Sequence, residues 1–112
     1  MKEIKAYVHR TRVADVIAAL KATPSWAAAE PGRQHNLSLY VVKGSLVPLD
    51  DKERRYSVEL GEEIVDEYKL ELHCADEQVD EFVNAIVASA RTGQTNAGWI
   101  YVVDLLTAQP IH

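Results

Sequence analysis

The chain has 112 residues, enough for one domain spanning 1–112, and its 17 acidic against 12 basic residues leave a formal net charge of −5. That balance argues against nucleic acid as a partner, because gripping a phosphate backbone needs a concentrated basic face. A single cysteine, Cys74, rules out an intramolecular disulfide; the Met1 to Lys5 start has no signal-peptide core and no apolar run approaches the roughly 20 residues that span a bilayer, so the expectation is a soluble, cytoplasmic domain.

Residues 3–9 alternate, with Ile4, Ala6 and Val8 on one face, which is strand periodicity. From Arg12 to Ala22 the period changes: Val13, Val16, Ile17 and Leu20 form one stripe of an amphipathic helix, with Thr11 as its cap and Thr23-Pro24 as its end. Residues 25–36 are small, polar and broken by Pro31-Gly32, and are expected as a loop; Trp26 with Ala27, Ala28 and Ala29 reads as a helical insert packing on the body or as a partner contact, with packing favoured. Leu37, Leu39 and Val41 mark a second strand facing inward. In residues 43–66, Tyr56, Val58 and Leu60 alternate and Asp50-Asp51 suits a turn, a pattern that fits an extended hairpin or a long loop equally. Tyr68, Leu70 and Leu72 mark a third core strand ending at His73-Cys74.

Asp76 is expected to cap a second helix, with Glu77 and Asp80 favouring the positive end of its dipole. Its buried stripe is Val79, Phe82, Val83, Ile86, Val87 and Ala90, and Gly93 follows where a left-handed residue is expected. Residues 99–105 form a last strand, and the tail from Leu106 to His112 is a candidate short edge. The order β-α-β-β-α-β predicts an α+β, ferredoxin-like sandwich: an antiparallel sheet with two helices on one face. The other face then needs burial by something else if it is apolar, and Tyr40, Val42, Ile100 and Val102 are its candidates.

The motifs of the second half resemble the PII signalling superfamily. Asp76-Glu77-Gln78-Val79-Asp80 is similar to the start of that family's last helix. Ala90-Arg91-Thr92-Gly93, then Gly98 and Ile100-Tyr101-Val102, are similar to its B-loop and following strand. Val42-Lys43-Gly44 resembles the end of the second strand, where the family's T-loop begins, and Lys69-Leu70-Glu71 resembles a Lys-apolar-Glu strand segment. The resemblance covers nearly the whole chain except residues 23–36, where this chain is longer. It implies a homotrimer with a ligand cleft between subunits, a T-loop over residues 43–66, and a regulated partner such as a membrane transporter or metabolic enzyme, with no catalytic residue. By the same resemblance the ligand site is Lys43, Gly44, Glu71, Thr92, Gly93, Gly98 and Trp99.

The departures narrow the ligand. Leu46 and Pro48 stand where the family has glycine and glutamine, Glu67 stands for a lysine that helps hold 2-oxoglutarate, and Leu60 for the uridylylated tyrosine. Trp99 replaces a phosphate-binding lysine, Pro110 and His112 replace two arginines, and Asn96-Ala97 replaces Gly-Asp. Charge-assisted hydrogen bonds contribute about 1.5–3 kcal/mol each, so ATP and 2-oxoglutarate sensing is not carried over. The alternatives left open are a smaller adenine nucleotide (AMP, ADP or a cyclic nucleotide), another anion such as bicarbonate, or no ligand at all. The alternative reading is a CutA-like or metal-tolerance-associated structural trimer without nucleotide sensing. His73 and Cys74 are strand neighbours pointing to opposite faces, so no metal site is assigned to them.

Overall fold

The computed structural model describes residues 1–30, 34–46 and 54–112, with the side chains of Glu62 and Glu63 outside that description. The Asp50-Asp51 turn expected from the sequence lies outside the described residues. The elements are β1 (Lys2–His9), α1 (Val13–Lys21), α2 (Pro24–Ala27), β2 (Ser38–Gly44), β3 (Arg55–Ser57), β4 (Glu62–Cys74), a 3-10 turn (Asp76–Gln78), α3 (Val79–Ala90) and β5 (Gly98–Asp104). The strands form one five-stranded antiparallel sheet in the order β2-β4-β1-β5, with β3 paired to the far end of β4. The architecture is α+β and compatible with a ferredoxin-like fold.

Strand parity decides what each face does. Ile4, Ala6 and Val8 of β1 and Leu70, Leu72 and Cys74 of β4 are buried in one cluster with Val16 and Leu20 of α1 and Phe82 and Ile86 of α3. Both longer helices therefore cover the same face of the sheet. Ile100 and Val102 pair with Ala6 and Ile4 in the ladder, so they stand on this helix-covered face rather than the opposite one. The sequence reading had put them on the far side. The residues of β5 that face away are Trp99, Tyr101 and Val103, one position out of that register. Tyr40 and Val42 do face away, opposite Lys69 and Glu67.

Several local expectations change for identifiable reasons. Helix α1 has no side-chain cap, because the Thr11 hydroxyl lies 2.9 Å from His9 Nδ1 instead of turning to the helix amides. Asp76 does not cap α3: its carboxylate pairs with the Met1 ammonium at 2.8 Å, while Gln78 Oε1 accepts from the Ala75 N–H at 3.0 Å. The 25–36 stretch opens with a short helix carrying Trp26, which packs edge-on against Phe82 and tilts over His35, so Trp26 belongs to the body of the domain. Glu81 accepts from the Ser25 N–H at 2.9 Å and its hydroxyl at 2.7 Å, tying this insert to α3. Between β3 and β4, residues 58–61 form a tight hairpin turn closed by Gly61 N–H to Ser57 O at 2.7 Å, which resolves the end of the 43–66 segment as a hairpin.

Leu39 and Val41 share a face with Leu70 but remain 44% and 61% exposed, because they sit on the edge strand beyond the reach of the helix layer. The tail after β5 forms no strand; its Leu106 and Ile111 are fully exposed. No helix among the described residues is long and apolar enough to cross a membrane.

Two substitutions on α3 check this orientation. Phe82 is fully buried against Trp26 and His35, so Phe82→Ala is expected to cost about 3–5 kcal/mol in urea unfolding. Val87, placed in the buried stripe by periodicity, is 44% exposed, so Val87→Ala is expected to cost under about 1 kcal/mol. Equal losses at the two positions would mean that α3 is rotated.

Candidate functional site

The residues singled out from the sequence gather at one end of the sheet, but on opposite edges. Gly44 closes β2 opposite Val65, Glu67 of β4 faces His9 of β1, and Gly98 opens β5 opposite Val8. Lys43 and Gly44 thus lie on the β2 edge, and Thr92, Gly93, Gly98 and Trp99 on the β5 side. Three strand spacings separate them, roughly 14 Å at about 4.8 Å each. Within one chain they do not form a single site.

Glu71 stands elsewhere. It pairs with Ser38 while Gly44 pairs with Val65, six rungs apart, or roughly 20 Å at about 3.3 Å per residue. Its carboxylate accepts from the Tyr40 hydroxyl at 3.0 Å and pairs with Lys69 Nζ at 2.8 Å. Lys69 holds the Glu71 carboxyl below its ordinary range, helped by the Tyr40 hydroxyl; in return Glu71 raises both Lys69 and Tyr40. Lys69 lies over the rings of Tyr7 and Tyr40, 5.7 and 5.4 Å from their centroids. Tyr7 meets Tyr101 edge-on at 5.9 Å, and Tyr101 stacks with Trp99 at 6.5 Å. The face away from the helices therefore carries an aromatic belt running from β2 to β5, with its charges already paired.

The glycines divide by role. A Cβ on Gly98 would lie 2.5 Å from the Tyr7 carbonyl oxygen, so close strand approach is what requires glycine there. Gly93 has φ +85° and open space around it, which makes it a left-handed turn residue, as the sequence indicated. A Cβ on Gly44 would overlap the buried Glu67 carboxyl, so that side chain would have to move for any other residue to stand there. Gln94 N–H reaches the Thr92 hydroxyl at 3.3 Å, so Thr92 shapes the loop before β5.

Around Gly44 lies a cluster that the sequence reading missed. Glu67 is 5% exposed and its cross-strand partner His9 is 1% exposed, on the sheet face opposite the one packed against α1 and α3. Leu46, also buried, folds back and donates its N–H to Glu67 Oε2 at 3.2 Å. His9 Nδ1 lies 3.2 Å from the Thr11 N–H and 2.9 Å from the Thr11 hydroxyl. Burial pushes the Glu67 carboxyl above its ordinary range; the Leu46 N–H and His9 pull it back only in part. The resemblance marks Glu67 only as a replaced lysine, and nothing in the periodicity announces its burial.

At the other end of the sheet an open cavity of about 980 Å³ lies between the C-terminal tail and β4; Glu3, Ser38, Glu71 and His73 line it. Among the described residues, no group of three or more His, Cys, Asp or Glu is placed to hold a metal ion.

The contact between Gly44 and Glu67 predicts a thermodynamic coupling. Gly44→Ala alone drives a methyl into a buried carboxyl and is expected to cost about 1–3 kcal/mol. Combined with Glu67→Ala, which vacates that space, the loss should fall short of the sum by about 0.5 kcal/mol or more. Strict additivity in a denaturation double-mutant cycle would place the two side chains apart.

No protein-family model matches this chain, and a search of curated proteins finds none similar to it.

Proposed function

We propose that the chain is a PII-like regulator rather than an enzyme: a homotrimer that binds a small anionic or adenine-nucleotide ligand between subunits and uses residues 43–66 to control a partner. The partner is a membrane transporter, for inorganic carbon, ammonium or a metal ion, or a metabolic enzyme. The observation that carries this reading is the division of the candidate residues. Lys43-Gly44 and the 92–99 segment occupy the same end of the sheet on opposite edges, so they meet only where the β2 edge of one copy approaches the β5 edge of another.

The uncovered face supports the same reading. Tyr40, Trp99, Tyr101 and Val103 are all 40% or more exposed, and they stand on the two edge strands. Aromatic side chains with paired charges among them favour burial against protein over a phosphate backbone. Lys43 supplies one cation at the mouth of this intersubunit cleft, which suits a ligand with fewer phosphates than ATP.

A CutA-like trimer that senses no nucleotide is the second reading. The packing roles of Gly44 and Gly98 favour it, since both glycines are explained without a ligand. The two readings share the trimer and differ in the response to small molecules.

Sedimentation or mass photometry at micromolar concentration should give about three times the 12.5 kDa chain mass, and a clean monomer contradicts both readings. Titration with AMP, ADP, ATP, cyclic nucleotides and bicarbonate should change Trp99 fluorescence for at least one compound. Gly93→Val, which strains a left-handed residue, should abolish that change. Silence from every compound leaves the structural trimer. Micromolar binding of 2-oxoglutarate would contradict the register that sets Glu67 and Pro48 where the family has its 2-oxoglutarate-binding lysine and glutamine.

A further inference from the structure

Glu67 is a buried acid with an incomplete set of partners, at the point where β2 gives way to the segment leading to β3. A neutral carboxyl buries at modest cost, whereas an ionised one needs several strong donors to replace water. Among the described residues two groups serve it: the Leu46 N–H at 3.2 Å and the electrostatic pull of His9 on the adjacent strand. Of the described charges on the neighbouring rungs, Lys43, Asp66 and Lys69 are engaged or face elsewhere. Lys43 and Asp66 form the next rung and point to the other side of the sheet, where Arg55 holds Asp66 through two contacts of 2.6 and 3.0 Å. Lys69, two positions along on the same side, is bound to Glu71.

We propose that Glu67 is a proton-operated latch: its neutral carboxyl holds residues 44–46 folded against the sheet, and its ionisation releases them. Gly44 makes the closed state possible, because any side chain there would occupy the space of the carboxyl. A neutral carboxyl keeps a carbonyl oxygen able to accept from Leu46 N–H, so closure does not require the charge. Opening returns Glu67 to water, where its pKa is that of an ordinary carboxyl. The closed form binds the proton more tightly than the open form, because burial raises the acid there. Closure is therefore fully favoured below the ordinary carboxylate range and weakens as pH rises through the raised value. Each pH unit between those two limits shifts the equilibrium toward opening by up to roughly tenfold.

The latch stands on its own geometry. It rests on the proposed function only in what it would regulate, the presentation of residues 43–66 to a partner. Hydrogen exchange of the Leu46 amide, corrected for intrinsic rates and followed by NMR from roughly pH 4 to 8, tests it. In the wild-type protein the opening equilibrium should rise with pH and then level off. In Glu67→Gln, which keeps the shape and an acceptor oxygen without the ionisation, it should stay flat. Wild-type protection that does not vary with pH, or the same variation in Glu67→Gln, overturns the latch. If Glu67→Gln fails to fold, as judged by the β1 and β4 amides, the wild-type protein still decides. The Glu67 carboxyl carbon and the Leu46 amide must then titrate with one midpoint, above the ordinary carboxylate range, and separate midpoints overturn the proposal. None of these readouts depends on a nucleotide or on the number of subunits, so the latch and the proposed function fail separately.

Discussion

Three of the four strand pairings in this sheet pass through β4. At 13 residues it is the longest of the described strands, and it pairs with β1, β2 and β3. Its C-terminal half, through Leu70, Leu72 and Cys74, supplies the centre of the core under α1 and α3. Its N-terminal part runs past the helix layer to pair with β3, so the hairpin projects from a strand anchored in the core. That single continuity places the Glu67 cluster at the junction between a rigid body and a projecting element. A break in β4 would lose the core and the hairpin together.

The consequence of a two-layer design is an open face. Helices bury Ile4, Ala6 and Val8 of β1 and Leu70, Leu72 and Cys74 of β4, while Lys5 and Tyr7 of β1, Lys69 and Glu71 of β4, Trp99, Tyr101 and Val103 of β5 and Tyr40 and Val42 of β2 look the other way. There the chain places Tyr7, Tyr40, Trp99 and Tyr101 around a paired Lys69 and Glu71. A belt of this composition costs free energy in water and carries no net charge to steer a polyanion. It is the reason for reading the two edge strands as surfaces that meet other copies. Glu67 and His9 sit on this same face yet are buried, and Leu46, also buried, reaches Glu67 through its N–H.

Much of the fold is legible in the residues themselves, because period-2 and period-3.6 patterns report burial directly. The alternation of Ile4, Ala6 and Val8 and the stripe through Phe82 and Ile86 fall in the core as the patterns indicate. What escaped was set by relationships between distant elements. Ile100 and Val102 are assigned to a face by their pairing with β1, which one strand read alone does not reveal. Leu39, Val41 and Val87 follow the right periodicity but lie beyond the packed layer, since pattern gives direction and not coverage. Asp76 has the chemistry of a helix cap, but the Met1 ammonium is the stronger partner for its charge. For the candidate site, Gly93 announced its left-handed backbone, whereas the roles of Gly44 and Gly98 depend on the Glu67 side chain and the Tyr7 carbonyl across the ladder.

The central claim is that the β2 and β5 edges of different copies meet at the end of the sheet that holds Gly44 and Gly98. Isotope-filtered NMR on a mixed sample of labelled and unlabelled protein addresses it most directly, because only contacts between copies survive the filter. The account predicts intermolecular NOEs linking the Trp99 indole to protons of Lys43, Gly44 or their β2 neighbours. A sample in which Trp99 shows NOEs only within its own chain, at concentrations well above micromolar, would contradict it.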